Sequence, residues 1–255
     1  MAIPVWTELT WEEVRDLDRG RAVAVLPVGA VEAHGPHLPL GTDLVIAEAM
    51  AREGAARIGE SGLKPVLLPS VSFTAAPFAA SFPGTLAVSA ETVTSLLLDL
   101  ARELTRQGFA ALAVANAHLD PAHRRSLATA AERAREAGHL PVVVPDLARR
   151  PWAARLTEEF RTGACHAGRF EGSIVMAERP ALVRRAIQDA LPANPASLSD
   201  AIRNGASTFE EAGGPRAYFG WPADATAEEG RATVEELGRI LRDAVLETLR
   251  PERVA

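Results

Sequence analysis

Two hundred and fifty-five residues, 47 % hydrophobic and 24 % charged, suffice for one large domain with a real core and exclude intrinsic disorder and coiled coil. A net charge of −6 without a long basic run argues against a nucleic-acid partner. The longest apolar stretches, 22–31 and 109–115, fall short of the ~20 residues that span a bilayer. No basic segment followed by an apolar run opens the chain, and the single Cys165 cannot form an internal disulfide, so a cytoplasmic protein is expected.

Apolar runs and helical patterns alternate, which predicts a mostly parallel sheet flanked by helices in three layers, a single α/β domain over 1–255. The first strand is predicted over 23–28, ending at Gly29. A helix over 44–58 follows, for which Asp43 is available as N-cap. A strand over 65–68 and a helix from Ser89 to Arg106, stopped by Gly108, come next. The strand over 109–114 leads to a helix over 121–136, opened by Asp120 and Pro121. After a strand over 141–144 and a segment containing Trp152, residues 174–176 and 181–186 read as strand or short helix. From Gln188 to Tyr218 the chain is rich in Pro, Ala, Ser, Asn and Gly and reads as a long surface loop. An amphipathic helix from Thr226 to Leu249 closes the pattern, with Pro251 beyond it.

Three clusters carry chemistry. Glu32, His34, His37 and Asp43 crowd just past the first strand, where an open α/β sheet presents its ligand site. Residues two apart in extended backbone point the same way, so Glu32 and His34 reach into one cleft; carboxylate and imidazole suit zinc, manganese or iron, and Asp43 can bridge two cations. His118 and Asp120 repeat that spacing past another strand, while His123 reads as helix surface. The third cluster, His166 to Ser173, pairs a histidine with Glu171 five residues on. Five of the six histidines fall in these clusters, and only His139 lies elsewhere.

The segment Pro27-Val-Gly-Ala-Val-Glu-Ala-His-Gly-Pro-His-Leu-Pro-Leu-Gly-Thr-Asp43 resembles the opening signature of the creatininase (creatinine amidohydrolase) family. Phe82-Pro-Gly-Thr85, His166-Ala-Gly-Arg-Phe-Glu-Gly-Ser173 and Gly220-Trp-Pro-Ala-Asp-Ala-Thr-Ala-Glu-Glu-Gly230 resemble three further family motifs, in family order. The resemblance implies a creatininase-like fold, a homohexamer, two divalent metal ions per chain (zinc, manganese or iron) and hydrolysis of a non-peptide, cyclic or peptide-derived amide C–N bond by a water activated between them. It implies Glu32, Asp43 and His118 around one metal, and His34, Asp43 and Asp120 around the other. His166 would be the acid/base, and Glu171 would orient it or touch a metal. Phe82, Trp152 and Arg169 are candidate substrate contacts, Arg169 for an anionic group.

Two departures stand out. The family's Asn-Gly-His-Gly-Gly-Asn segment is here Asn116-Ala-His-Leu-Asp-Pro121, and Thr74 to Ser81 lacks the polar groups common in the family. Both argue for a substrate unlike that of the usual members, with biosynthetic processing, by analogy to deformylating and peptide-trimming relatives, open beside creatinine hydrolysis. The rival reading is a catalytically degenerate protein that keeps the fold for ligand binding or structure.

Overall fold

Every residue of strand β1 (Ala22–Val28) is buried, and its alternate side chains enter two different cores. The computed structural model describes residues 3–250. Along the chain come α1 (Trp11–Arg15), β1, α2 (Thr42–Glu60), β2 (Lys64–Leu67), α3 (Ala90–Arg106), β3 (Ala111–Asn116), α4 (Pro121–Glu136) and β4 (Val142–Val143). They are followed by α5 (Glu158–Thr162), α6 (Arg169–Glu178), α7 (Arg185–Gln188), α8 (Leu198–Arg203) and α9 (Ala227–Leu249). The four strands are all parallel, in the order β2-β1-β3-β4.

Val23 and Val25 point to one face, where Ile46 and Met50 of α2, Ile174 of α6 and Leu237, Ile240 and Leu241 of α9 cover them. Ala22, Ala24, Leu26 and Val28 point to the other, against Val93 and Leu97 of α3 and Leu127 of α4. The layers are therefore helix, sheet, helix. Two covered faces explain why the strands read as unbroken apolar runs rather than as alternating ones. Each fully buried Leu, Ile or Val contributes about 1.5–3 kcal/mol, so the two faces together outweigh any single helix's propensity.

Helices α3, α4 and α9 lie where their caps and periodicity put them, with Ser89, Asp120 and Thr226 each accepting a backbone N–H. Pro251 lies outside the described residues. Several expectations change. The fourth strand shrinks to Val142–Val143, and residues 174–176 belong to α6. Asp43 does not cap α2: Gly41 holds the N-cap position, and Asp43 lies inside the first turn on the buried face. Residues 188–218 are no open excursion, because Leu198, Phe209, Ala212, Ala217 and Phe219 build a small core of their own with Phe78.

Candidate metal centre

Strands β1 and β3 pair side by side up to Val28 and Asn116, so the segments that follow them leave the sheet together. Glu32 and His34 descend from the first and His118 from the second. Gly29 lies against α2 so closely that a Cβ there would come within 2.8 Å of the Asp43 backbone carbon, and this approach lets the first turn of α2 deliver the Asp43 side chain to the same point. The fourth contributor is the start of α6. Ala167 precedes it with a φ of 51°, a left-handed conformation unusual for a residue with a Cβ. Its N–H donates to Glu171 Oε2 at 2.6 Å, folding the Glu171 side chain back towards His166.

Three imidazoles are held in a common way. His34 Nδ1 lies 3.1 Å from the carbonyl of Glu32, His118 Nε2 2.9 Å from that of Ala75, and His166 Nε2 2.9 Å from that of Ala33. A carbonyl oxygen can only accept, so each of these nitrogens carries its proton and the other is left to face the centre. His34 Nε2 lies 3.2 Å from Asp43 Oδ1 and 3.5 Å from Glu171 Oε2. His118 Nδ1 lies 3.1 Å from Asp43 Oδ2 and 3.3 Å from Glu32 Oε1. The two oxygens of Asp43 thus serve two different histidines. His166 Nδ1 is 4.0 Å from Glu32 Oε1.

Glu32, Asp43 and Glu171 are buried carboxylates with no arginine or lysine paired to any of them among the described residues. Burial opposes charge on His34, yet Asp43, Glu171 and Glu32 outweigh it and lift its pKa to about 10. His118 is raised in the same way, with burial overcome by Glu32 and Asp43. Asp43 is held far below the usual carboxylate range, because the two histidines outweigh its burial. Glu171 goes up to about 8, pushed by burial and by the neighbouring carboxylates against the pull of His34. His166 is lowered by burial and by His34, and stays neutral. Without a cation, the carboxylates are balanced by protons on His34, His118 and Glu171.

Divalent cations fit this donor set. Ligand atoms ~2.0–2.1 Å from a tetrahedral cation stand ~3.3 Å from one another, close to the spacings just given. The ligand atoms of Glu32, Asp43 and His118 form one mutually close group, and those of His34, Asp43 and Glu171 another. Glu32 Oε2 and His34 Nε2 are buried without a hydrogen-bond partner, since the short approach of His34 to Asp43 lacks hydrogen-bond geometry. Buried polar atoms left open in this way are the ones a cation would engage.

A cavity of about 430 Å³ opens from the centre. Glu32, Asp43, His118, His166 and Glu171 form its floor, and Phe78, Leu119, Phe160, Leu198, Ile202 and Phe209 its apolar wall. The ring of Phe209 stacks on His166.

Residues 7–245 match the model of the family described as creatinine amidohydrolase. The chain belongs to the creatininase family. It is 31 % identical over 240 residues to a mycofactocin precursor peptide peptidase of Mycobacterium tuberculosis, covering 90 % of this chain and 86 % of that one. It is 33 % identical over 114 residues to a creatinine amidohydrolase of Pseudomonas putida, covering 44 % of each chain. A solved creatininase variant complexed with creatine superposes with a TM-score of 0.74 at 25 % identity, over 98 % of this chain and all of that one. A manganese form of creatininase superposes with the same score, identity and coverage.

Against the creatininase pattern, Glu32, His34, Asp43, His118, His166 and Glu171 converge, and other expected residues do not. Asp120 lines the cavity, but its oxygens take the N–H groups of Ala122 at 2.7 Å and Phe78 at 3.2 Å, so it caps α4 and anchors the 77–79 turn. Arg169 pairs with Glu229 at 3.3 Å and Trp152 packs on the sheet core beside Arg155; neither lines the cavity. Phe82 stands behind Phe209, one ring removed from the cavity. His123 is fully buried, with Nε2 2.9 Å from Asn116 Oδ1, and that same oxygen receives the His118 N–H at 3.2 Å. It therefore supports the His118 loop rather than decorating a surface. Phe209 escaped the sequence reading altogether, since nothing marks it within the 188–218 stretch.

Proposed function

We propose that this protein is a dinuclear metal-dependent amidohydrolase acting on a peptide-derived amide. One observation carries the reading: three imidazoles, each fixed by a backbone carbonyl, turn their other nitrogens towards three buried carboxyl groups that no arginine or lysine reaches among the described residues. Glu32, Asp43 and His118 would hold one cation and His34, Asp43 and Glu171 the other, with Asp43 between them. Glu171 takes the place of Asp120 in the second set because its oxygen lies close to the ligand atoms of both His34 and Asp43, a grouping in which Asp120 has no part. Bound there, such cations acidify a water and polarise the amide carbonyl.

The chain's own residues do the rest. Neutral His166, with Nε2–H tied to the Ala33 carbonyl, offers Nδ1 to take the proton released as water adds to the amide, and returns it to the leaving nitrogen as the C–N bond breaks. Phe209 and Phe78 keep bulk water off that exchange and offer the acyl or amine portion an apolar face. A cavity lined by Phe78, Phe160, Leu198 and Phe209, and also by Arg161 and Arg203, suits a peptide fragment better than a small polar ring, and the peptidase relatives, matched over most of their length, support the same choice. The convergence of Glu32, His34, Asp43, His118 and Glu171 on one point disfavours a degenerate protein.

Elemental analysis of purified protein, paired with a screen of amides and short peptides, tests the proposal. Two equivalents of zinc, manganese or iron in metal-loaded protein and metal-dependent amide cleavage are expected. Metal-free protein that takes up no cation would overturn it.

A further inference from the structure

Glu159 is a buried carboxylate, 2 % exposed, with no cationic partner among the described residues. It lies on α5, outside the residues that converge on the centre. Its Oε1 accepts the N–H of Arg169 at 2.9 Å and that of Trp221 at 2.8 Å, and its Oε2 accepts the N–H of Phe170 at 2.6 Å. Both oxygens act as acceptors, which is the pattern of the ionised form. Arg169 and Phe170 open α6, so Glu159 takes two of the N–H groups that a helix start leaves unpaired and sets a negative charge at the positive end of the helix.

Room for this carboxylate is made by two glycines. A Cβ on Gly168 would approach Oε1 to 2.7 Å, and one on Gly220 would overlap it. Three segments meet there: α5, the start of α6 and residues 219–221. The second carries His166 and Glu171. The third holds His166 from behind, through the Phe219 N–H donated to the His166 carbonyl at 2.8 Å, and packs Phe219 against Phe209.

We infer that Glu159 is a positioning residue of the metal centre: it fixes the start of α6, and through it the placement of Glu171, without touching substrate or cation. The inference rests on the dinuclear reading above and singles out one of its two donor sets. Glu32, Asp43 and His118 hang from β1, α2 and β3, whereas Glu171 is carried by α6 itself. Glutamine at 159 keeps the shape but turns an NH₂ group towards at least one backbone N–H. That mismatch loosens α6 at its first turn, and with it the His34, Asp43 and Glu171 set.

The test is stepwise calorimetric titration of metal-stripped protein with Mn²⁺, comparing wild type with Glu159→Gln and with Glu158→Gln, the adjacent exposed carboxylate. Replacing a group that orients a ligand typically weakens metal binding ~10- to 100-fold. In Glu159→Gln the second equivalent should weaken by that factor while the first binds as in wild type, and Glu158→Gln should change neither. A purely structural role would lower both equivalents together with the melting temperature. That result, or a folded Glu159→Gln protein with both equivalents unchanged, overturns the inference. Wild-type protein that takes up fewer than two equivalents refutes the dinuclear reading itself, and this assignment with it. Hydrogen exchange on wild type alone covers the case of a variant that does not fold. On binding the second equivalent, amides 169–171 and 221 should gain protection together, and protection of 169–171 without 221 counts against the link.

Discussion

The ring of His166 lies 4.2 Å from that of Phe209, centroid to centroid, with the two planes 29° apart. One edge of the imidazole is tied to the Ala33 carbonyl and one face is covered by Phe209, so the ring has little freedom to turn. Such an aromatic contact is worth about 0.5–1.5 kcal/mol, or about 2- to 12-fold if it is lost only in the transition state. Phe209→Leu keeps most of the apolar volume and should lower kcat by that factor with unchanged metal content. An unaltered kcat would show that burial alone holds His166.

His166→Ala should cut amide hydrolysis by ~10²- to 10⁴-fold, the usual loss for a general acid/base, and leave both cations in place. Elemental analysis beside steady-state rates decides the point. Loss of one metal equivalent would make His166 a ligand, a reading its 4.0 Å approach to Glu32 keeps testable.

Because the two oxygens of Asp43 face His34 and His118 separately, Asp43→Ala should remove at least one cation and most activity. Metal content measured on folded, gel-filtered variant provides the check. Unchanged content would end the bridging role.

Without metal, stability should fall as pH rises from neutrality. His34 has its pKa raised to about 10, so the stability it contributes is complete below the unfolded value near 6.5 and disappears as pH climbs through 10. His118 is raised too, and Glu171, raised to about 8, loses its contribution between about 4.5 and 8. All three act in one direction. Asp43 is lowered and changes nothing above neutrality. Melting curves of stripped protein at pH 7, 8 and 9 should therefore step down. Metal uptake must displace the same protons, so it should release protons to the buffer and tighten with pH. Flat melting temperatures across that range would argue against protonated histidines in the stripped centre.

The resemblance to the creatininase family predicts a homohexamer. The apolar face of α9 is used within the chain, where Leu237, Leu241 and Val245 pack on the sheet core, and residues 198–219 bury their apolar groups in a local core. Phe73 and Leu86, 51 % and 58 % exposed, are the better candidates for contacts between copies. Light scattering should report about six chains, and Phe73→Glu with Leu86→Glu should lower that number. The mass of a single chain in concentrated wild-type solution would overturn the assembly.

The sheet and its principal helices were legible because a strand covered on both faces must be apolar throughout, and because Ser89, Asp120 and Thr226 mark helix starts. The centre was legible for a related reason. Glu32, His34 and His118 follow strand ends within a few residues, so chain proximity stands in for spatial proximity. That logic fails where partners are remote: Phe209 and Glu159 reach the site only through tertiary packing, and their neighbours carry no spacing signal. His123 is a different case. Together with Ser126, Leu127, Ala130 and Ala134 it completes the buried face of α4, a helical period present in the sequence but overlooked. Asp120 was ambiguous because a carboxylate before Pro121 suits a cap and a ligand equally. The structure shows the cap, with the N–H groups of Ala122 and Phe78 on its two oxygens, and it also places Asp120 on the cavity lining.

Phe160 and Leu119 in the cavity wall stand on the same sheet core as the floor, but the rest of the wall does not. The floor hangs from strand ends and from helices rooted in the two sheet cores, while Leu198, Phe209 and their neighbours stand on a third, separate core with Phe78 and Phe219. Substitutions that reshape that third core alter what fits against the apolar face, and they touch the centre beneath only at His166, through the Phe209 ring and the Phe219 N–H. A lineage built on this plan can therefore vary what it accepts at Leu198 and its outer neighbours, while His166 is the one place where selectivity and reactivity must change together.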